Sequence, residues 1–159
     1  MARFDFLKWR RGSAAAAGRL GEAAAERFLW WRGYRIIDRN YSNDQGEIDL
    51  IAERNGVCVF VEVKSRTINP EGRVERDPLD AVDARKRRNL RAAARVYING
   101  FLPARFPHRF DFIAVDLENG RGRVRKHEPN ALDPLPDEFV ALHSAEAAGL
   151  QEKLQEALR

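Results

Sequence analysis

Apolar residues fall into helical and alternating rhythms that divide the chain into a few elements. Leu20, Ala24, Phe28 and Trp31 recur at helical spacing and predict a helix over about residues 19–32, closed by Gly33, with Trp30 and Trp31 as its core and rim. Tyr34 to Tyr41 reads as a strand. Ile48, Leu50 and Ala52 alternate with polar residues up to Asn55-Gly56, and Val57, Val59, Val61 and Val63 follow at the same period. An Asn-Gly pair between alternating runs is the strongest local hairpin signal, because both central positions of a type I′ turn need positive φ. Ser65 to Asp77, carrying Pro70 and Gly72, reads as a long loop. Leu79, Val82, Leu90, Ala93, Ala94, Tyr97 and Ile98 predict a second helix over about residues 79–99, ended by Gly100. Arg109 to Leu117 alternates as a strand, Asn119-Gly120 marks another tight turn, and Arg123 to His127 supplies a short partner. The pattern is α/β, a mixed sheet flanked by helices.

The first hairpin carries the candidate chemistry. A two-residue turn at Asn55-Gly56 sets Arg54 opposite Val57, Asp49 opposite Glu62 and Glu47 opposite Lys64. Like charges facing each other across a ladder repel by up to about 1 kcal/mol, more when buried, so a cation is expected between Asp49 and Glu62. A hard divalent ion such as Mg²⁺ is held by one or two carboxylates with water and substrate phosphates, which suits an acidic pair without nearby His or Cys. Lys64, two residues beyond Glu62, is placed to position a water or to stabilise charge on a phosphoryl group. Charged residues at alternate strand positions ordinarily mark a solvated sheet face. Here one face of the second strand is all valine and the other begins Cys58 and Phe60 before turning to Glu62, Lys64 and Arg66. A strand apolar on both sides that ends in ionisable groups reads as a site at a strand end.

The larger set of Gly21-Glu22, Gly33-Tyr34, Gly46-Glu47-Ile48-Asp49-Leu50-Ile51, Phe60-Val61-Glu62-Val63-Lys64-Ser65-Arg66, Lys86 and Arg109-Phe110-Asp111 resembles the YraN family, within the PD-(D/E)xK, or restriction-endonuclease-like, nucleases. The resemblance spans about residues 18–132. It implies a restriction-endonuclease-like mixed sheet flanked by helices and, through the family's likeness to Holliday-junction resolvases, a metal-dependent DNA endonuclease using Mg²⁺ or Mn²⁺. Carried over position by position, it makes Asp49, Glu62 and the Val63 carbonyl metal ligands, Lys64 the catalytic lysine, and Glu22 a helix glutamate reaching the metal. Glu26 lies one turn from Glu22, and a surface position is the ordinary explanation for either. Glu47, Lys86 and Asp111 also match the family.

Charge agrees with an anionic partner. The 159 residues carry 28 Lys and Arg against 24 Asp and Glu, a surplus small enough that its distribution matters more than its size. Basic residues gather at Arg3 to Arg11 and at Arg85-Lys86-Arg87-Arg88, so Arg66, Lys86, Arg87 and Arg88 are the expected nucleic-acid contacts, with a solvated helix face as the plain alternative. The single Cys58 excludes an internal disulfide, and His108, His127 and His143 lack metal-ligand spacing. No apolar run reaches membrane-span length, and a cytoplasmic protein is expected.

The chain length suits one domain. Residues 1–17 read as a mobile basic and aromatic arm, 18–132 as the nuclease-like domain, and 133–159 as an added tail in which Leu150, Leu154 and Leu158 predict a helix. A homodimer is plausible by analogy with resolvases that cut two strands. Two other readings remain open: a nucleic-acid-binding module with structural carboxylates, and an interaction protein acting through its arm and tail.

Overall fold

A computed structural model describes residues 6–68, 78–102 and 106–135, with side chains of the first helix described from residue 15 on. Of the loop expected over 65–77, residues 65–67 are strand instead and the part beyond residue 68 lies outside the described residues, as does the tail helix. The element order is α1 (Phe6–Trp31), β1 (Arg35–Asn43), β2 (Gly46–Arg54), β3 (Val57–Thr67), a 3-10 turn (Pro78–Ala81), α2 (Ala84–Phe101), β4 (His108–Glu118) and β5 (Arg121–Leu132). The strands form one sheet in chain order, antiparallel throughout except for the parallel β3/β4 pair. This is the expected α/β arrangement, a mixed sheet flanked by helices, and it is consistent with a restriction-endonuclease-like fold.

Both Asn-Gly turns form as their sequence requires, with positive φ at Asn55, Gly56, Asn119 and Gly120. Alternation along β3 feeds two cores. Phe60 joins Leu90, Ala94, Tyr97, Phe110 and Phe112 beneath α2, while Val59, Val61 and Val63 join Ala25, Leu29, Ile113 and Val115 beneath α1. β3 and β4 are thus covered on both faces, which is why they read as nearly continuous apolar runs.

The first helix differs from its expected form in two ways. Its backbone begins at Phe6, not near Arg19, so most of the stretch expected as an arm is helical; Ala14 to Ala17 are the strongest helix formers and carry it upstream. Its buried face is Gly21, Ala24, Ala25 and Leu29, whereas Leu20 is 41% exposed and Trp30 and Trp31 are 62% and 74% exposed, so these tryptophans are neither core nor rim. Small residues win that face because the helix lies close on the sheet. A Cβ on Gly21 would stand 2.6 Å from Ser65 Cβ, and a Cβ on Gly122 of β5 would stand 2.7 Å from Ala24 Cβ. Gly33 ends the helix in left-handed conformation, its amide bonding Trp30 O and the Tyr34 amide bonding Leu29 O.

The second predicted helix is broken. Asp83 adopts extended backbone and its side chain accepts from the Lys86 amide, so an N-cap separates the 3-10 turn from α2. β5 is longer than expected and pairs with β4 through two register shifts.

Gly21 supplies a direct test of this close approach. Ala in a helix gains up to about 1 kcal/mol over Gly, but overpacking against a fixed neighbour costs about 1–3 kcal/mol. We expect Gly21→Ala to lower unfolding free energy in urea, and Gly18→Ala, whose new Cβ would meet only Glu22 Oε1 at 3.9 Å, to leave it unchanged or raise it. Equal stabilisation by both substitutions would contradict the packing of α1 on Ser65.

Candidate metal centre at the end of the central strands

The β2/β3 ladder keeps the expected register from Arg54 opposite Val57 to Leu50 opposite Val61, then stops one pair short of Asp49 and Glu62. The remainder of β2 stays with β1, where Ile48 pairs with Tyr41 and Glu47 with Ser42. Glu47 is exposed and does not pair with β3, contrary to the expected partnership with Lys64. Alternation also fails at this point, since Ile48 packs in the α2 core and Leu50 in the α1 core. A side chain fills the gap: Asp49 Oδ2 accepts the Val63 amide at 2.7 Å. In an antiparallel pair one residue's N–H and C=O point to the same neighbour, so the Val63 carbonyl faces the gap as well.

Glu62 is completely buried. Lys64 Nζ lies 2.9 Å from its Oε1 and Lys86 Nζ, from the first turn of α2, lies 3.2 Å from its Oε2. Each oxygen is met by one lysine ammonium and by no backbone amide, hydroxyl or guanidinium donor, so the charge is balanced while lone pairs stay open. Burial, then the Glu62 charge, pushes the Asp49 carboxyl up to about 7; the Val63 amide and Lys86 oppose this, and Glu22 adds slightly to it. Burial favours neutral Lys64, but contact with Glu62 and the charges of Glu62 and Asp49 outweigh it and hold the ammonium above its ordinary value.

Asp49, Glu62, Lys64, Lys86 and the Val63 backbone therefore converge. Glu22 is close enough to be felt at Asp49, and α1 reaches this end of β3 through Gly21 against Ser65, but among the described residues no group of three or more acidic, His or Cys ligands assembles. Glu26 instead pairs with Arg39, whose hydrogen bond lowers its pKa. The donor set is carboxylate and carbonyl oxygen, with unsatisfied buried carboxylate lone pairs. It fits a hard divalent ion completing its shell with water and phosphate.

The expected nucleic-acid contacts separate. Arg88 is exposed on α2, but Lys86 is on Glu62, Arg87 donates to Val82 O and lies over the Phe112 ring, and Arg66 is paired with Asp116 at 2.7 Å. A depression of about 550 Å³ lined by Glu47, Gly46, Asn89 and Lys86 opens beside the centre. Sequence reading placed Lys86 with the phosphate contacts and missed its contact with Glu62; the Asp83 cap that aims it was hidden inside a supposed continuous helix.

Asp111, the other completely buried acid among the described residues, is a contrast. It takes both Arg109 nitrogens at 2.9 and 3.1 Å, His127 Nε2 at 2.9 Å and the Asn130 amide at 3.1 Å. Burial pushes its carboxyl up, but the His127 and Arg109 hydrogen bonds reverse this, leaving it below its usual value. It ties β4 to β5 and, through Arg109 on the Tyr34 hydroxyl, to the end of α1, which is a structural role. His108 joins Phe106 O to the Leu135 amide, and Cys58 is buried, its thiol pushed up to about 12. His143 lies outside the described residues. No helix among the described residues is long and apolar enough to cross a membrane.

A family model described as "Uncharacterised protein family UPF0102" matches residues 21–115. A UPF0102 protein of Anaeromyxobacter dehalogenans is 42% identical over 118 residues, covering 74% of this chain and 84% of its own. One from Symbiobacterium thermophilum is 46% identical over 109 residues, covering 68% and 89%. The matched span holds Glu22, Asp49, Glu62, Lys64 and Lys86.

The raised Asp49 carboxyl sets a pH dependence. An acid whose pKa rises on folding holds its proton in the folded state between about 4 and 7, so metal-free stability falls as pH rises through that window. Asp49→Asn should therefore stabilise the metal-free protein at pH 8 relative to wild type, and the gain should shrink toward pH 4. Thermal melts in chelator across pH 4–8 check this; a variant less stable at pH 8 than at pH 4, relative to wild type, would show that the Val63 hydrogen bond outweighs repulsion from Glu62.

Proposed function

Because this chain belongs to the uncharacterised family UPF0102, the YraN family, and holds a buried carboxylate with unsatisfied lone pairs, we propose that it is a divalent-metal-dependent endonuclease hydrolysing phosphodiester bonds in DNA. The observation that carries the reading is Glu62, completely buried and met only by two lysine ammonium groups at the point where two strands part. A buried acid kept for stability is expected to be satisfied, as Asp111 is.

Asp49 and Glu62, with the Val63 carbonyl, would hold Mg²⁺ or Mn²⁺, and Glu22, whose charge is felt at Asp49, would add to the negative field around it. Such an ion, when bound, supplies Lewis acidity toward a phosphoryl oxygen and lowers the pKa of a coordinated water. Lys64 is held charged by the carboxylates. Its ammonium orients the attacking water and balances the charge that grows on the phosphoryl oxygens as the new P–O bond forms and the bond to the leaving oxygen breaks. Lys86 reaches the same carboxylate from α2 and borders the open depression, where it can exchange Glu62 for a substrate phosphate. Branched or otherwise structured DNA is the proposed substrate, resting on the family's likeness to resolvases.

A specific observation favours the non-catalytic alternative: two lysines already neutralise Glu62. Metal binding separates the readings. In the endonuclease reading millimolar Mn²⁺ raises the melting temperature of wild type, as any ligand of the folded state must, and Asp49→Asn removes most of the rise. Lys64→Ala should lower cleavage of a branched DNA by about 100-fold or more while retaining Mn²⁺ and DNA binding, the pattern of a group acting in the transition state. Absence of both the metal-dependent shift and cleavage would leave a DNA-binding module with structural carboxylates.

A further inference from the structure

Beyond the metal centre, we propose that β5 and the β3 end form a phosphate-binding track that carries a DNA backbone away from Lys64 across the sheet. The inference rests on the endonuclease reading for its partner and on strand register for its geometry.

Cross-strand neighbours share a face. Lys64 pairs with Ala114, which pairs with Lys126; Arg66 pairs with Asp116, which pairs with Arg123. Gly122 and Val124 of β5 pack toward α1, so Arg121 and Arg123, which alternate with them, point to the opposite face, where Glu62 and Lys64 lie. Arg125 is the extra residue of a bulge between Val124 and Lys126. Arg121, Arg123, Arg125 and Lys126 are all exposed. On this face α2 packs against β1 and β2 and the 3-10 turn against β3 and β4, which leaves the β5 end, among the described residues, to these cations. A depression of about 720 Å³ opens there, lined by Arg121, Gly122, Arg123, Asp116, Glu118 and Ile68. With strands about 4.8 Å apart, the row from Lys64 to Lys126 extends on the order of 10 Å. That is about three 3.4 Å steps of a DNA strand.

The acids along this path are accounted for. Asp116 is engaged by Arg66 at 2.7 Å and Glu128 by Lys126 at 3.3 Å, while Glu118 faces Arg121 across the turn without an ion pair within 4 Å. Charged edge strands also discourage pairing between sheets, but that purpose is served equally by balanced charges. The other edge shows this: Arg35 and Arg39 of β1 are paired with Glu53 and Glu26. On β5 the arginines are of one sign and, among the described residues, Arg121, Arg123 and Arg125 have no ion pair. Unpaired like charges arranged beside a proposed phosphodiester site fit a polyanion.

The test is binding of a fluorescein-labelled duplex DNA by anisotropy over a sodium chloride series, in chelator so that cleavage plays no part. We expect the triple variant Arg121→Ala, Arg123→Ala, Arg125→Ala to bind about tenfold or more weakly and to lower the slope of log affinity against log salt by about 2 to 3, since each duplex phosphate contact contributes about 0.9. The matching triple lysine variant should keep the wild-type slope, which separates lost charge from a disturbed strand. Unchanged affinity and slope in the alanine variant would overturn the track while leaving the metal centre and its Mn²⁺-dependent melting untouched. Wild type that fails to bind DNA at any salt concentration would overturn both the track and the endonuclease reading.

Discussion

The parting of β2 from β3 after Leu50 and Val61 is the constraint around which this molecule is arranged. A continuous ladder would have paired the Val63 amide with backbone and brought Asp49 and Glu62 face to face as neighbours on a sheet. Instead the Asp49 carboxylate takes the amide, and Glu62 is left in the interior beside the opening. Burying an ion without satisfying it costs several kcal/mol, so the surroundings must return part of that. Lys64 comes from the same strand, Lys86 from α2 through the Asp83 cap, and Gly21 allows α1 to close on Ser65 at the strand's end. Each of these local features makes sense as support for one poorly satisfied carboxylate.

Two buried acids on adjacent strands are surrounded in opposite ways. Asp111 sits toward the α1 side with Arg109, His127 and the Asn130 amide occupying its oxygens, and its proton is easily lost. Glu62 faces α2, met only by the two lysines, and its charge adds to burial in raising the pKa of its neighbour Asp49. A site prepared for a cation needs the second arrangement, since an acid already satisfied by protein donors has no lone pairs to offer. The arginines of β5 extend the comparison to the surface: Arg35 and Arg39 of the β1 edge are ion-paired, whereas among the described residues Arg121, Arg123 and Arg125 of β5 have no ion pair.

Sequence made the hairpin legible because an Asn-Gly turn fixes register locally and because β3 is apolar on both faces until Glu62. Asp49, Glu62 and Lys64 were grouped from the residues alone, but the facing of Asp49 and Glu62 across an unbroken ladder that grouped them does not form. The end of the ladder was not legible, since alternation continues on paper through Ile48 and nothing local signals that β2 leaves β3 for β1. Trp30 and Trp31 were misplaced for a related reason: size suggests burial, but the buried face of α1 is Gly21, Ala24, Ala25 and Leu29, and both tryptophans fall outside it. Lys86 was misread because Asp83 interrupts a stretch whose apolar spacing looks unbroken. Arg87 and Arg66, expected as phosphate contacts, turned out to be engaged with Val82 O and Asp116, partners set by tertiary packing.

The central claim is that Asp49 and Glu62 hold a divalent cation where the strands part. Anomalous diffraction from crystals soaked in Mn²⁺ above pH 7, where Asp49 is largely ionised, tests it most directly. The account predicts an anomalous peak beside Asp49 and Glu62, with Lys86 Nζ moved off Glu62. Density showing both lysines still on Glu62, and no peak beside Asp49 at saturating Mn²⁺, would contradict it.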